Sequence, residues 1–381
     1  MKYHFHLDTL FATVFLFLIL WLLSITIKTS ILEPGKMEPY DFDYSDVIYS
    51  QAGPNKTRFD PNIVIVNAGD TSRAGIAAIL QKVNAMHPAA IGMDLLFRTR
   101  KYPDEDSMLS ATVSAIPNLV MCTDVRPGEE KIVGYFSPCS KHTGFANFYG
   151  EKGNVIRYCK PFYKGDSSFA AVILHIANPD AFKRLLGRDK DLLAINYTRH
   201  DTEYFVIDYR SLLNGNIDGN ALKNKIVLIG FYSNNEYNIE DKHITPMNPV
   251  FIGRSLPDMH GVVIHANIIS MMLNGNYIHL ANNCINRLLA IILGWFCTGI
   301  FIKYLVNNHT WFHIIARIWQ SVAIIVLVAL NILLFKYCRI KIDLTLAIVV
   351  LVFSADLLYV YKILAVWLAY RFNYKTIFKQ H

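Results

Sequence analysis

Apolar residues fall into two kinds of run along this chain. Four are long and nearly unbroken: Leu10 to Ile27, Ile285 to Val306, Ile314 to Phe335 and Ile342 to Tyr361. Each is close to the roughly 20 residues that carry a helix across about 30 Å of hydrocarbon. They predict four transmembrane helices. Between the first and second, the apolar runs are short, bounded by Gly, Pro and Asn, and alternate between strand and helix spacing. Ile63 to Val66, a helix over Ile76 to Met86 and the run Ala90 to Met93 make a βαβ unit, whose strands are parallel and whose crossover is right-handed. A helix over 107–115 and a strand from Asn118 to Cys122 continue the alternation. Val133 to Phe136, Gly144 to Phe148 and Val155 to Cys159 read as short strands suited to hairpins. Helices follow over Ser168 to Ala177 and Asp180 to Leu186, split at Asn178-Pro179, then strands near Leu193 to Tyr197 and Tyr204 to Ile207.

The most sharply bounded stretch comes last. Lys225 to Gly230 is an aliphatic run with a glycine stop and predicts a central strand. A polar loop runs from Phe231 to Met259, and a helix begins at Gly261 and stops at Asn274-Gly275. The fold class is therefore an α/β domain, with a parallel or mixed central sheet and an antiparallel insertion, joined to four transmembrane α-helices. The plan is an amino-terminal segment 1–9, a span 10–27, the α/β domain 28–283, spans 285–306, 314–335 and 342–361, and a tail 362–381.

With 53% hydrophobic residues among 381, the chain holds more apolar material than a soluble domain needs. The net charge of +7 does not point to nucleic acid, because 28–283 is close to charge-balanced and the surplus belongs to the apolar runs and their flanks. Leu10 to Ile27 is too long for a signal-peptide core and lacks a small-residue cleavage site, so it reads as an uncleaved signal anchor. A small excess of Lys and Arg on the amino-terminal side of the spans agrees with a cytoplasmic amino terminus. Only RFNYKTIFKQH follows from Arg371, so an output domain is not expected on this chain.

Cys122, Cys139 and Cys159 in the α/β part allow at most one disulfide and show no zinc spacing, so they read as small buried hydrophobes. No nucleophile elbow, zinc-protease helix or phosphate loop is present, and no catalytic residue, cofactor or metal is expected. In open parallel sheets, ligands collect beyond the carboxyl ends of the strands. Asp70, Asp94, Asp241, Thr245, His265 and Asn267 follow such ends or open the last helix, and are the candidate ligand contacts. The competing reading makes them helix caps and loop closures. Asp356 is an acid inside the last span, with either a functional role, a hydrogen bond to Tyr, Ser or Asn on a neighbouring span, Asn331 for example, or a position close to the inner headgroups.

Three patches in order resemble one family. Val227 to Gly230, then Asp241, Thr245 and Pro246, then Gly261 to Ile269 (GVVIHANII) resemble the closing motif of the CHASE2 family of extracytoplasmic sensor domains. Ile63 to Val66 with Asp70, and Ala89 to Phe97 with Asp94, look like its pair of strands ending in acids. Gly144 to Asn147 and Gly153 to Arg157 resemble its glycine, valine and arginine hairpin. The chain departs from the pattern at Asn67, where the family often has an acid, and at Ser72 to Gly75, where aromatic and proline residues are reduced. The resemblance implies a sensor in the bacterial inner membrane whose domain 28–283 lies in the periplasm, and which takes a small-molecule or protein ligand. With no output domain, it implies a membrane or cytoplasmic signalling partner reached through the last three helices, with a homodimer also possible. The alternatives are an assembly subunit of an envelope complex, whose domain docks and binds no ligand, and a transporter.

Overall fold

The computed structural model describes residues 3–27, 43–51, 59–125, 130–148, 155–188, 191–235, 237–250, 256–307 and 311–380. Lys28 to Pro61 reads in the sequence as an extended linker and entry loop; its residues 28–42 and 52–58, and the hairpin residues Gly153 and Asn154, lie outside these. In chain order the elements are helix α1 (Leu7–Ile27), α2 (Tyr44–Gln51), strand β1 (Ile63–Asn67), α3 (Arg73–Asn84), β2 (Ala90–Met93), α4 (Pro103–Ala115), β3 (Leu119–Asp124), β4 (Ile132–Val133) and β5 (His142–Phe145). Then come α5 (Phe169–Ala177), α6 (Pro179–Leu186), β6 (Phe205–Asp208), α7 (Tyr209–Leu213), β7 (Ile226–Gly230), α8 (Gly261–Asn274), α9 (Asn283–Asn307), α10 (Phe312–Cys338) and α11 (Thr345–Phe372). Two compact units result, Pro39–Ile278 and Met1–Glu38 with His279–His381.

In the α/β unit, β6, β1, β7, β2 and β3 lie side by side in that order, all parallel. Alternate strand residues divide between the faces. Val64, Val66, Ile91, Met93, Leu119, Met121, Val227 and Ile229 join Ile79, Leu80, Val83, Leu109, Val113 and Leu212 in one core cluster under α3, α4 and α7. The opposite face receives α5 and α8, and two glycines make room for α5. A Cβ on Gly92 would stand 2.5 Å from Ile173 Cδ1, and one on Gly144 would stand 2.6 Å from the Phe169 Cα.

Local signals place the helix ends. Ser72 caps α3 by accepting from the Gly75 N–H, and Asn178 caps α6 by accepting from the Ala181 N–H. Pro103 and Pro179 occupy first turns, where a missing N–H costs nothing. Gly275 ends α8 in the left-handed region, at φ 66°.

Two expectations are corrected. Of the run Val133 to Phe136 only Val133 is in a strand, as the second residue of β4, because Gly134 turns the chain and sends Phe136 into the core beneath the Arg73 guanidinium. The strand His142–Phe145 pairs parallel with β3 rather than in a hairpin. The antiparallel insertion is confined to short ribbons, such as Tyr158–Cys159 with Leu193–Ala194 and Phe162–Tyr163 with Asp166–Ser167. Arg157, the arginine of the hairpin resemblance, forms a buried ion pair with Asp46 (Nε to Oδ1 3.0 Å) that fastens α2 to the domain. All six cysteines are free.

In the other unit, α1, α9, α10 and α11 are each long and apolar enough to cross a membrane. At Gly294 of α9, a Cβ would meet Val350 at 2.9 Å and Phe17 at 3.4 Å, so α1, α9 and α11 approach closely there. α10 is peripheral: 17% of its apolar window is buried, against 44% in α9 and α11. Between it and its neighbours lies an apolar cavity of about 200 Å³ bordered by Phe296, Cys297, Phe301 and Trp319. Polar contacts hold it instead. The Gln320 amide donates to the Leu351 and Val352 carbonyls (2.8 and 3.0 Å), and the Asn331 amide donates to that of Ile342 (3.0 Å).

Asp356 therefore does not pair with Asn331; its carboxylate takes Arg317 of α10 at 2.7 and 2.8 Å. α11 also continues past Tyr361 to Phe372. The tail then folds back, with Tyr361, Tyr374 and Thr376 hydroxyls and the Ile377 N–H all donating to buried Asp8 at 2.8–3.1 Å.

The glycine contacts give a direct test of the α5 face. Gly144→Ala should destabilise the protein by about 1–3 kcal/mol, because its clash is with backbone that cannot rotate away. Gly219→Ala, with nothing within 4 Å, should be near neutral. Thermal unfolding of the two variants of the full chain checks this.

Candidate functional site

The carboxyl ends of β1, β7 and β2 are tied into one rim. The Asn67 side-chain oxygen accepts from the N–H groups of Gly69 and Tyr232, both at 3.0 Å. The Ala68 N–H donates to Gly230 and the Asp94 N–H to Ile229, at 2.9 and 2.8 Å. α8 then starts directly over the rim. From the position of a Cβ on Gly230, Val262 is 3.0 Å away and the Asp94 Cβ 3.5 Å. A bare backbone at Gly230 thus lets the helix settle and brings its second turn toward Asp94.

Asp94 and His265 meet here under a cover of aromatic rings. The His265 Nε2 is 3.9 Å from Asp94 Oδ1, beyond hydrogen-bond reach. Phe148 lies against the His265 ring (centroids 4.6 Å apart), Phe169 meets it edge-on at 5.1 Å, and His243 approaches Phe148 at 5.2 Å. Burial governs the charges. It raises the Asp94 carboxyl to about 7 and lowers His265 to about 3, the latter opposed in part by the Ala146 backbone. His243 is lowered to about 4 by burial and by the neighbouring His265 and His260. At neutral pH the two histidines are uncharged and Asp94 is divided between acid and carboxylate, so Asp94 and His265 form no ion pair. The buried His265 Nδ1 has no hydrogen-bond partner, and the half-buried Asp94 carboxyl accepts no hydrogen bond from the described residues.

The other predicted residues have structural partners or lie elsewhere. Thr245 is buried; its N–H donates to Asp258 Oδ1 at 2.7 Å and its hydroxyl donates to Oδ2. Burial raises Asp258 to about 7 against the pull of the Thr245 and Asn248 hydrogen bonds. Asn267 is a strap. Its oxygen accepts from the Thr198 and Arg199 N–H groups (3.2 Å each), and its amide donates to the Arg199 and Val263 carbonyls. The Asp241 carboxylate stands against Gly261 at the start of α8, about where a helix favours negative charge. Asp70 is exposed, turned outward after Gly69 at φ 54°.

Sequence reasoning missed His243, Phe148 and the pair His260–Asp201. His260 is fully buried and accepts from the Ser233 N–H at Nε2, which fixes the proton on Nδ1, bonded to Asp201 Oδ2 at 2.6 Å. The spacing of Asp241 and His243, two apart in a polar loop, was the available signal for His243. Among the described residues no three His, Cys, Asp or Glu side chains are placed to share a metal ion.

The opposed shifts make a pH prediction. In the unfolded chain carboxyls titrate near ~3.9 and imidazoles near ~6.5. Between about pH 4 and 6.5 the folded acids Asp94 and Asp258 keep protons that the unfolded chain has lost, so their contribution falls as pH rises. Folded His265 and His243 lack protons that the unfolded chain holds, so theirs rises. Each slope is at most about 1.4 kcal/mol per pH unit. Asp94→Asn removes one falling contribution. Its melting temperature should climb more steeply than that of the wild type between about pH 4.5 and 6.5, and should exceed it near about pH 8. Parallel profiles for the two proteins would contradict this account of Asp94.

Compared with known proteins, the chain matches the family model of the CHASE2 domain over residues 37–301. No curated protein and no solved structure matches it.

Proposed function

The chain belongs to the CHASE2 domain family, and from that premise we propose that it is a sensor of the bacterial inner membrane, with its α/β unit in the periplasm. CHASE2 domains are extracytoplasmic sensor domains, and four helices apolar enough to span a membrane accompany this one. The ligand, a small molecule or a segment of another protein, binds at the rim over Gly230. The observation that carries this reading is the Asp94–His265 pair. A buried imidazole whose Nδ1 has no partner, facing a half-buried carboxyl at the carboxyl edge of a parallel sheet, is an arrangement that a ligand completes.

The same helix that carries His265 gives the signal a route. α8 ends at Gly275, and a short segment to Asn282 joins it in sequence to α9. A ligand that engages His265 favours one placement of α8, and its difference in affinity between placements is the energy available for signalling. A separate membrane or cytoplasmic protein reads the outcome.

A screen of periplasm-accessible metabolites against the full-length protein in detergent tests the proposal. A ligand held at about 100 times its Kd should add about 2.7 kcal/mol of stability, seen as a rise in melting temperature. Asp94→Asn and His265→Phe should each abolish the rise while leaving the protein folded. Insertion of three residues between Asn276 and Asn282 should leave the rise intact and remove the output. A protein that no ligand stabilises, and that is recovered from membranes in stable complex with envelope-assembly proteins, would instead be a docking subunit.

A further inference from the structure

The Arg317–Asp356 pair is placed where an ion pair has no ordinary reason to be. α11 has 28 residues and is about 42 Å long, roughly 12 Å more than the hydrocarbon thickness. Asp356 lies eleven residues, about 16 Å, from Thr345 and sixteen, about 24 Å, from Phe372. However the excess length is shared between the two ends, Asp356 stays inside the hydrocarbon. Arg317, bonded to it at 2.7 and 2.8 Å, is at the same depth.

The pair is not enclosed. Its side chains are 53% and 47% exposed, and Arg317 is on α10, the helix that the other spans cover least. Nor is it saturated. One guanidinium nitrogen serves both carboxylate oxygens and another meets Gln320 Oε1 at 3.1 Å, which leaves Nε and further N–H groups unspent. Water would satisfy such a remainder at a surface; acyl chains cannot.

We propose that this face of α10 and α11 is where a second copy of the chain docks, and that the two ion pairs close into a ring of four charges. The argument for a second copy is self-complementarity. Two copies share one orientation in the membrane, so their pairs lie at equal depth. A two-fold axis along the membrane normal then sets them antiparallel, each guanidinium facing the other copy's carboxylate. A neighbour of different sequence would need to present the same two charges in reverse. The flanking surface fits helix packing: Ile314, Ile318, Ser321 and Ile325, all exposed, recur at intervals of four, three and four residues, a two-helix seam with a small residue one turn beyond Arg317.

Charge exchange separates this contact from a merely local role. The double variant R317D/D356R keeps a pair within each chain and, under the two-fold axis, keeps the ring between identical copies. Against the wild type, however, it sets like charges together. Full-length wild type and double variant, labelled in two colours and reconstituted in bilayers, should each self-associate, while mixed dimers form at least fivefold below statistical proportion. Statistical mixing, or a monomeric wild type, would overturn the proposal. So would recovery of the wild type from native membranes as one copy bound at this face to a different transmembrane protein. Where the double variant fails to insert, cysteine pairing decides. With the native Cys284, Cys297 and Cys338 replaced by Ala, Ile318→Cys should oxidise to a cross-linked dimer in native membranes, and Val326→Cys, on another side of α10, should not. No cross-link at position 318 would equally overturn the proposal.

Discussion

Strand β7 is paired along both sides, with β1 from Ile63 to Asn67 and with β2 from Ala90 to Met93. A strand held in this way cannot slide, and its carboxyl end at Gly230 becomes the fixed point of the α/β unit. The Asn67 side chain extends the tie to Tyr232, and α8 rests on Gly230 because that residue has no side chain. The positions of Asp94 and His265 both follow. One is the first residue after β2; the other lies on the second turn of the helix seated on Gly230. The site is therefore an outcome of sheet pairing and of one glycine, and needs no special loop conformation to bring its two polar groups together.

Much of this frame was legible in the sequence. Ile63, Ala90 and Ile226 open runs bounded by turn residues, and Asn178-Pro179 and Asn274-Gly275 end helices where the structure ends them. The strand order was not legible. β7 comes last of the five parallel strands in the chain yet sits between β1 and β2, and that choice is made by which helices cover each face, a matter of packing between distant segments. Phe136 shows the same limit locally: its run reads as a strand, but the stacking of Phe97, Phe136 and the Arg73 guanidinium pulls it out of extended register.

Within the site, what the sequence placed correctly were residues adjacent to regular elements. Asp94 and His265 come together as strand-end logic expects. Phe148 and His243 arrive on irregular segments whose paths no periodicity encodes, and Asp70 is lost to the site because a left-handed Gly69 turns the chain outward. Thr245 was singled out in the loop after Gly230 and Asn267 near the start of the last helix, and both are polar for another reason. Buried loop backbone has to be hydrogen-bonded, and Asn267 alone satisfies two N–H groups and a carbonyl of the segment at Thr198 and Arg199. A sequence offers no means of telling a strap from a ligand contact, since both want the same side chains.

Both units take polar groups out of water, and they differ in the ways left open when partners run short. A carboxyl in the α/β unit has a proton as one escape, and Asp94, raised to about 7, uses it in part. Asp258, raised equally to about 7, adds a second escape, three hydrogen bonds from Thr245 and Asn248. Across the bilayer the first escape closes for an arginine, which does not give up its proton in proteins. Only further polar neighbours remain. The membrane unit supplies them fully at Asp8, where hydroxyls from α11 and the folded-back tail surround the carboxylate, and incompletely at Arg317 and Asp356. One chain thus contains both a finished and an unfinished solution to the same physical problem. The finished one closes the molecule on itself, and the unfinished one, held at a fixed depth and turned outward, is what gives the membrane unit a surface with a specific demand on its neighbour.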